Sequence, residues 1–297
     1  PTQKTDPKRI FPAASQDTDP IKVLPEYQFV LEAIARGCPA VFVTGRAGTG
    51  KSTLIRFLSE KITNCAVVAP TALAAINVRG STIHSFFSIP PRTLNPDEAF
   101  EPRRQIIPGI ECLSALVIDE VSMVPPDLVD CMSNTLKEVR RDPRPFGGVP
   151  VIFVGDLLQL PPVVKDPEIA QYYTDRYRSR YFFSADVFAE AKLIPIELKR
   201  VFRQTGQEFV DLLDRIRINR DHREAVARIN RECFRDREPS ANHSLFLVPT
   251  NAAAKSINTR KLNTLEAPVR KFDAIIEGRF DVQRDRFQAP HRLEVKE

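Results

Sequence analysis

Gly45-Arg46-Ala47-Gly48-Thr49-Gly50-Lys51-Ser52 spells a G-x-x-x-x-G-K-S octet directly after the apolar run Ala40-Val41-Phe42-Val43. Each residue type suits the holding of a phosphate chain. Glycines let backbone N–H groups close around the anion, a lysine reaches the β and γ oxygens, and a serine hydroxyl ligates Mg²⁺. Thr53-Leu54-Ile55-Arg56-Phe57-Leu58 continues the octet with helical periodicity. A helix starting at Lys51 or Ser52 adds the partial positive charge of its N-terminus to the anion site. The octet and Thr53 therefore predict a site for a nucleoside triphosphate, with Lys51 as its catalytic cation.

Hydrolysis needs an acidic partner for such a loop. Leu116-Val117-Ile118-Asp119-Glu120 supplies one at the end of a second apolar run. Asp119 is expected to hold Mg²⁺ with Ser52, directly or through water. Glu120 is expected to polarise the attacking water and accept its proton. A third apolar run, Val151-Ile152-Phe153-Val154, leads into Gly155-Asp156-Leu157-Leu158-Gln159-Leu160-Pro161-Pro162. Ligands of parallel α/β sheets sit outside the carboxyl ends of the strands. Gln159 is accordingly expected to sense the γ-phosphate.

Those side chains can meet only if the runs that carry them are neighbouring strands. Val41 to Thr44, Ala66 to Ala69, Ala115 to Asp119 and Val151 to Gly155 are continuously apolar and separated by helical stretches, which predicts an α/β fold with a parallel sheet covered on both faces. A helix over Glu26 to Arg36, stopped by Gly37, precedes the first strand. Residues 1–21 read as a mobile lead-in, 22–165 as the first domain with an insertion at about 88–109, 166–180 as a linker, and 181–297 as a second domain. In the latter, Gln207 to Ile218 is amphipathic, and a strand at Ser244 to Val248 leads into a helix from Ala252.

Composition narrows the class. The chain has 297 residues, 42% hydrophobic and 27% charged, enough for two ordinary domains and typical of soluble globular proteins. No run reaches membrane-span length and the first residues lack a secretory apolar core, so no membrane partner is expected and the protein is expected to work inside a cell. That means the cytoplasm or nucleoid of a bacterium, or the nucleus or mitochondrion of a eukaryote. Five cysteines, odd in number and without a C-x-x-C pair, fit free thiols in a reducing compartment. The net charge of +5 permits a polyanionic partner without requiring one.

In order and spacing, GRAGTGKST, VAPTALAAINVRGSTIHSFF, LVIDEVSM, VGDLLQLPPV and LKRVFRQ resemble the Pif-type branch of superfamily 1B DNA helicases, with RecD-like helicases as near relatives, over roughly residues 24–264. The resemblance implies a RecA-like first domain, a wedge subdomain at the insertion, and a second, incomplete RecA-like domain, because the family's later motifs are missing. It implies ATP and Mg²⁺ as cofactors, and single-stranded and forked duplex DNA as partners. The implied activity is ATP-driven 5′→3′ translocation and unwinding, in the service of DNA repair, recombination or telomere maintenance. By the same resemblance Gln28 reads the adenine. Arg203, or failing that Arg200, reaches the γ-phosphate. Pro70, Thr71, His84 and Phe86 contact the DNA strand from the first domain, and Thr250, Asn251 and Asn258 from the second. For the neighbours Phe86 and Phe87, base stacking and a place in the core stay equally open. Two other readings also stay open: a nucleotide-switched DNA-binding module without unwinding, and a RecD-like motor subunit of a larger exonuclease. Protein partners are not indicated.

Overall fold

A computed structural model of the chain describes residues 21–164, 166–202, 207–233, 245–275 and 292–296. Helix α1 (Pro25–Ala35) starts on a proline, whose missing N–H costs nothing in a first turn, and the chain leaves it through Gly37 at φ 79°. Strand β1 (Ala40–Gly45) runs into the glycine-rich loop, and α2 (Lys51–Lys61) begins at the lysine, as expected. There follow β2 (Cys65–Ala69), α3 (Ala72–Asn77), the short β3 (Ser81–Thr82), α4 (Ile83–Phe87), α5 (Ile107–Glu111), β4 (Ala115–Ile118), α6 (Pro126–Arg140), β5 (Val151–Gly155), α7 (Pro167–Tyr177) and β6 (Leu193–Leu198).

The six strands form one sheet in the order β3-β2-β4-β5-β1-β6, and each neighbouring pair is parallel. Alternate residues supply its two faces, as a period of two requires. Phe42, Val68, Ile118 and Phe153 pack under α6 and the 182–191 segment, whereas Val43, Val67, Val117 and Val154 pack under α1 and α2. Phe182 sits 5.1 Å from both the Phe42 and Phe153 rings and closes the first of these cores.

Two expectations about domain limits need correction. Residues 181–198 do not open a second domain, because β6 joins the first sheet beside β1. Pro195 interrupts β6 and hid it in the sequence, yet proline is tolerated there because β6 is an edge strand, with ladder bonds on one side only. The segment 166–180 is not a free linker: α7 packs through Tyr173, whose hydroxyl donates to both carboxylate oxygens of buried Asp127 on α6 at 3.1 Å. The insertion at 88–109 is strapped along α6. The Leu94 N–H donates to Asp127, the Phe100 N–H to Thr135 Oγ1, and the Asn134 amide to the Pro96 carbonyl, while Ile89 and Leu94 are buried.

The chain divides into two compact units, 1–226 and 227–297. The first also contains α8 (Gln207–Arg217) and the start of α9 (His222–Cys233). In the second, α10 (Asn251–Asn263) is capped by Thr250, whose Oγ1 accepts from the Ala253 N–H at 3.2 Å. An antiparallel pair, β7 (Arg270–Asp273) with β8 (Arg292–Val295), accompanies it. The strand expected at 244–248 is not formed over residues 245–248, and Leu245 and Leu247 lie exposed. All five cysteines are free, and no helix among the described residues is long and apolar enough to cross a membrane.

Candidate active site at the carboxyl edge of the sheet

The strand order brings the chemistry to one edge. From β2 to β6, successive carboxyl ends carry Pro70 and Thr71, then Asp119 and Glu120, then Asp156 and Gln159, then the glycine-rich loop, then Lys199 to Phe202. With about 4.8 Å between strands, the acidic pair and the loop lie two strands apart.

The loop turns tightly at two glycines. A Cβ on Gly45 would lie 2.6 Å from Thr49 Oγ1 and 2.8 Å from the Leu198 carbonyl, and one on Gly50, which stands at φ 96°, would collide with the Tyr27 hydroxyl. Thr49, fully buried, donates from Oγ1 to the Arg46 carbonyl at 2.9 Å, and Lys51 Nζ donates to the Gly45 and Arg46 carbonyls at 2.7 and 3.0 Å. Among the described residues no side chain caps α2, which leaves its first turn suited to accept an anion. A cleft of about 640 Å³ opens there, lined by Ala47, Gly48, Gly50, Lys51, Ser52 and Thr53 of the loop and by Glu120 and Gln159 of the neighbouring strand ends.

Burial decides the electrostatics. It pushes the Asp119 carboxyl up to about 6, helped by the neighbouring Glu120 charge and opposed by the Glu120 backbone N–H and by Lys51. Burial likewise draws the Lys51 ammonium below its usual range, against the pull of Asp156, Glu120 and Asp119. Glu120 takes a left-handed conformation, φ 50°, at the turn out of β4 and lines the cleft. Among the described residues no group of three or more His, Cys, Asp or Glu side chains could hold a metal. A buried carboxylate on β4 and a serine hydroxyl on the loop are hard oxygen donors. They suit Mg²⁺ only when phosphate oxygens and water complete its shell.

At the end of β5, Asp156 is 1% exposed and fully engaged. Arg217 of α8 clasps it, Nη2 to Oδ1 at 2.8 Å and Nε to Oδ2 at 3.1 Å. The Leu158 N–H donates to Oδ1 at 3.1 Å and Gln159 Nε2 to Oδ2 at 3.3 Å. Burial would push this carboxyl up, but the Arg217 bonds and charge, with the Leu158 and Gln159 bonds, hold it below the usual carboxylate range. One helical turn earlier, Asp214 pairs with Arg46 of the loop at 3.3 Å.

The remaining sequence-derived residues divide. Gln28 is exposed on α1 and does not line the cleft; its neighbour Tyr27 does, and donates to the Gly50 carbonyl at 2.8 Å. Arg46 faces Asp214 and does not line the cleft. Arg203 lies outside the described residues, as does the side chain of Gln207. Arg200 holds its guanidinium 5.1 Å from the Phe202 ring centroid, and the Phe202 N–H donates to the Gly48 carbonyl at 2.8 Å. Thr71 caps α3, accepting from the Ala74 N–H at 3.2 Å, beside half-buried Pro70. His84 Nδ1 lies 3.0 Å from the Ile89 carbonyl. Phe86 corrects an expectation: at 4% exposure, with its ring 4.9 Å from that of buried Phe87, it belongs to the core and is not open to a base. In the second unit Thr250 is the α10 cap, and Asn251 and Asn258 are exposed along that helix.

Tyr27, Phe202, Asp156 and Arg217 were not singled out from sequence. The strand-end rule that selected Gln159 applies equally to Asp156, the first residue beyond β5. Arg217 carries no local signal, because its partner lies 61 residues away.

A family model described as PIF1-like helicase matches residues 26–224. The chain is 31% identical over 296 residues to the ATP-dependent DNA helicase PIF1 of Saccharomyces cerevisiae, covering 93% of this chain and 33% of that protein. Its fold resembles a crystal structure of the Bacteroides Pif1 helicase in complex with ADP-AlF3 and single-stranded DNA, with TM-score 0.78, 34% identity, and coverage of 92% of this chain and 63% of that one. It also resembles a structure concerned with unwinding of forked duplex DNA by two coordinating Pif1 helicases, with TM-score 0.79, 34% identity, and coverage of 92% and 65%. The chain spans about a third of the length of the curated relatives it matches. The matched stretch holds the glycine-rich loop, both acidic strand ends and the α8 clasp, so the site and the similarity coincide and the chain belongs to the PIF1-like helicase family.

Proposed function

We propose that the chain is the ATP-hydrolysing part of a DNA helicase that moves 5′→3′ on single-stranded DNA and opens forked duplexes. The observation that carries this reading is the convergence of Lys51, Glu120 and Gln159 on one cleft at the edge of a parallel sheet. Lys51 and the first N–H groups of α2 bind the β and γ phosphates. Gln159 orients the attacking water, and Glu120 accepts its proton as the oxygen bonds to the γ phosphorus and the β–γ bridge leaves with ADP. Ser52 and Asp119 are the residues that would hold Mg²⁺, which when bound neutralises the phosphate oxygens. Burial of Asp119 supports this, since a carboxyl pushed up to about 6 gains by having a cation nearby. Arg203 completes the charge stabilisation in this reading.

Thr71 and His84 hold the DNA strand from the first unit, and Thr250, Asn251 and Asn258 from the second. Hydroxyls, amides and helix starts grip phosphates without reading sequence. The strapped 88–109 segment is the wedge, and a second RecA-like domain begins beyond β6. The work is done wherever the cell keeps its DNA. The test is strand separation on forks with a single-stranded 5′ or 3′ tail, with ATP turnover followed in parallel. Unwinding of the 5′-tailed fork alone is expected. DNA-stimulated turnover without strand separation would reduce the chain to a nucleotide-switched binding module, and absence of turnover would overturn the reading.

A further inference from the structure

We infer that Arg217 is a positioning residue for the hydrolytic step: through Asp156 it sets the amide of Gln159, and α8 thereby latches the γ-phosphate side of the cleft. The inference rests on the proposed hydrolytic function and adds to it a residue outside the cleft lining. Three observations meet. The Asp156 carboxylate is buried, and its two oxygens are shared among four donors: Arg217 Nη2 and the Leu158 N–H on Oδ1, and Arg217 Nε and Gln159 Nε2 on Oδ2. Gln159 is otherwise exposed, so its bond to Oδ2 is what orients the amide; with nitrogen engaged there, the carbonyl oxygen is left to face the cleft. The same helix holds the phosphate loop one turn earlier, through Asp214 to Arg46 at 3.3 Å, and Asp214 stands 3.7 Å from Arg217. Thus α8 grips the loop that binds the β and γ phosphates and the strand end that reads the γ phosphate. A shift of α8 moves both together.

The pairing is also geometrically demanding. Nε and Nη2 of one guanidinium meet the two oxygens of one carboxylate in parallel, which a lysine ammonium cannot reproduce. A misplaced amide lowers the rate of the chemical step without weakening nucleotide binding, so the effect appears in kcat and spares KM.

The experiment is a double-mutant cycle on the whole chain, comparing wild type, Arg217→Ala, Gln159→Ala and the double variant in DNA-stimulated ATP hydrolysis. ADP affinity is measured on the same preparations, and Arg217→Lys is added as the conservative variant. The expected result is a fall in kcat of about tenfold to a hundredfold for Arg217→Ala, with KM and ADP affinity within about twofold. Arg217→Lys should not restore kcat. The double variant should be no slower than Gln159→Ala alone, as for residues that act through one another. Additive losses, full recovery by lysine, or a loss confined to ADP affinity would overturn the inference. If Arg217→Ala does not fold, Arg217→Lys and Arg217→Gln in the same cycle decide it by the same criteria. Wild-type chain without turnover would overturn the functional reading and this inference with it, whereas active wild type with an additive cycle would overturn this inference alone.

Discussion

Individual side chains at the cleft have separable roles. Tyr27 is 1% exposed and joins α1 to the phosphate loop through its bond to the Gly50 carbonyl. Tyr27→Phe removes that bond and keeps the packing against Phe57, so a loss of about 1 kcal/mol in stability is expected; chemical denaturation measures it, and ATP affinity should weaken as the loop loosens. For Asp156 the pH dependence has a defined sign. Its folded pKa is depressed, so its ion pair with Arg217 contributes stability above the unfolded value near 4 and loses it as pH falls through the folded value. Removing the guanidinium leaves a buried carboxylate that resists ionisation. Arg217→Ala should therefore cost about 3 kcal/mol at pH 7 and much less near pH 4. Urea unfolding at the two pH values checks this, and an equal cost at both would contradict it.

At the level of elements, the sheet is built from what short-range pattern reveals, and its departures from expectation have physical causes. β1, β2, β4 and β5 are buried on both faces, so each is a continuous apolar run and was legible. β6 was not, because Pro195, Glu197 and its edge position break that signature. Phe86 and Phe87 could not be divided by sequence, since adjacent residues on a short helix can face one core, as these do. The loop, Asp119, Glu120 and Gln159 were legible because each follows a strand end. Arg217 was not, because only the folded chain places α8 beside β5. Two predictions belong at this scale. Phe182→Ala should cost about 3–5 kcal/mol by opening a cavity between the Phe42 and Phe153 rings, seen as a lowered unfolding midpoint. Thr71→Ala removes the α3 cap at a cost of about 1 kcal/mol. Thr71→Ser should restore both stability and single-strand affinity, and recovery of stability without affinity would show that the threonine methyl contacts DNA.

For the whole molecule, the net charge of +5 and the grip proposed above, made of hydroxyls, amides and helix starts, would hold phosphates and ignore sequence. Affinity for single-stranded DNA should fall linearly on a log–log plot against salt, and be similar for oligonucleotides of different sequence. Thr250→Ala and Asn258→Ala in the second unit should weaken that affinity with little effect on nucleotide binding. Fluorescence anisotropy at several salt concentrations checks these outcomes.

ATP turnover by wild type, Lys51→Ala and Glu120→Gln, each with and without a single-stranded oligonucleotide, tests the hydrolytic centre most directly. DNA should stimulate the wild type. Lys51→Ala should abolish turnover, and Glu120→Gln should retain ATP binding while losing turnover by about a hundredfold or more. Hydrolysis that persists unchanged in Lys51→Ala would show that the cleft at the carboxyl edge of the sheet is not where ATP is cleaved.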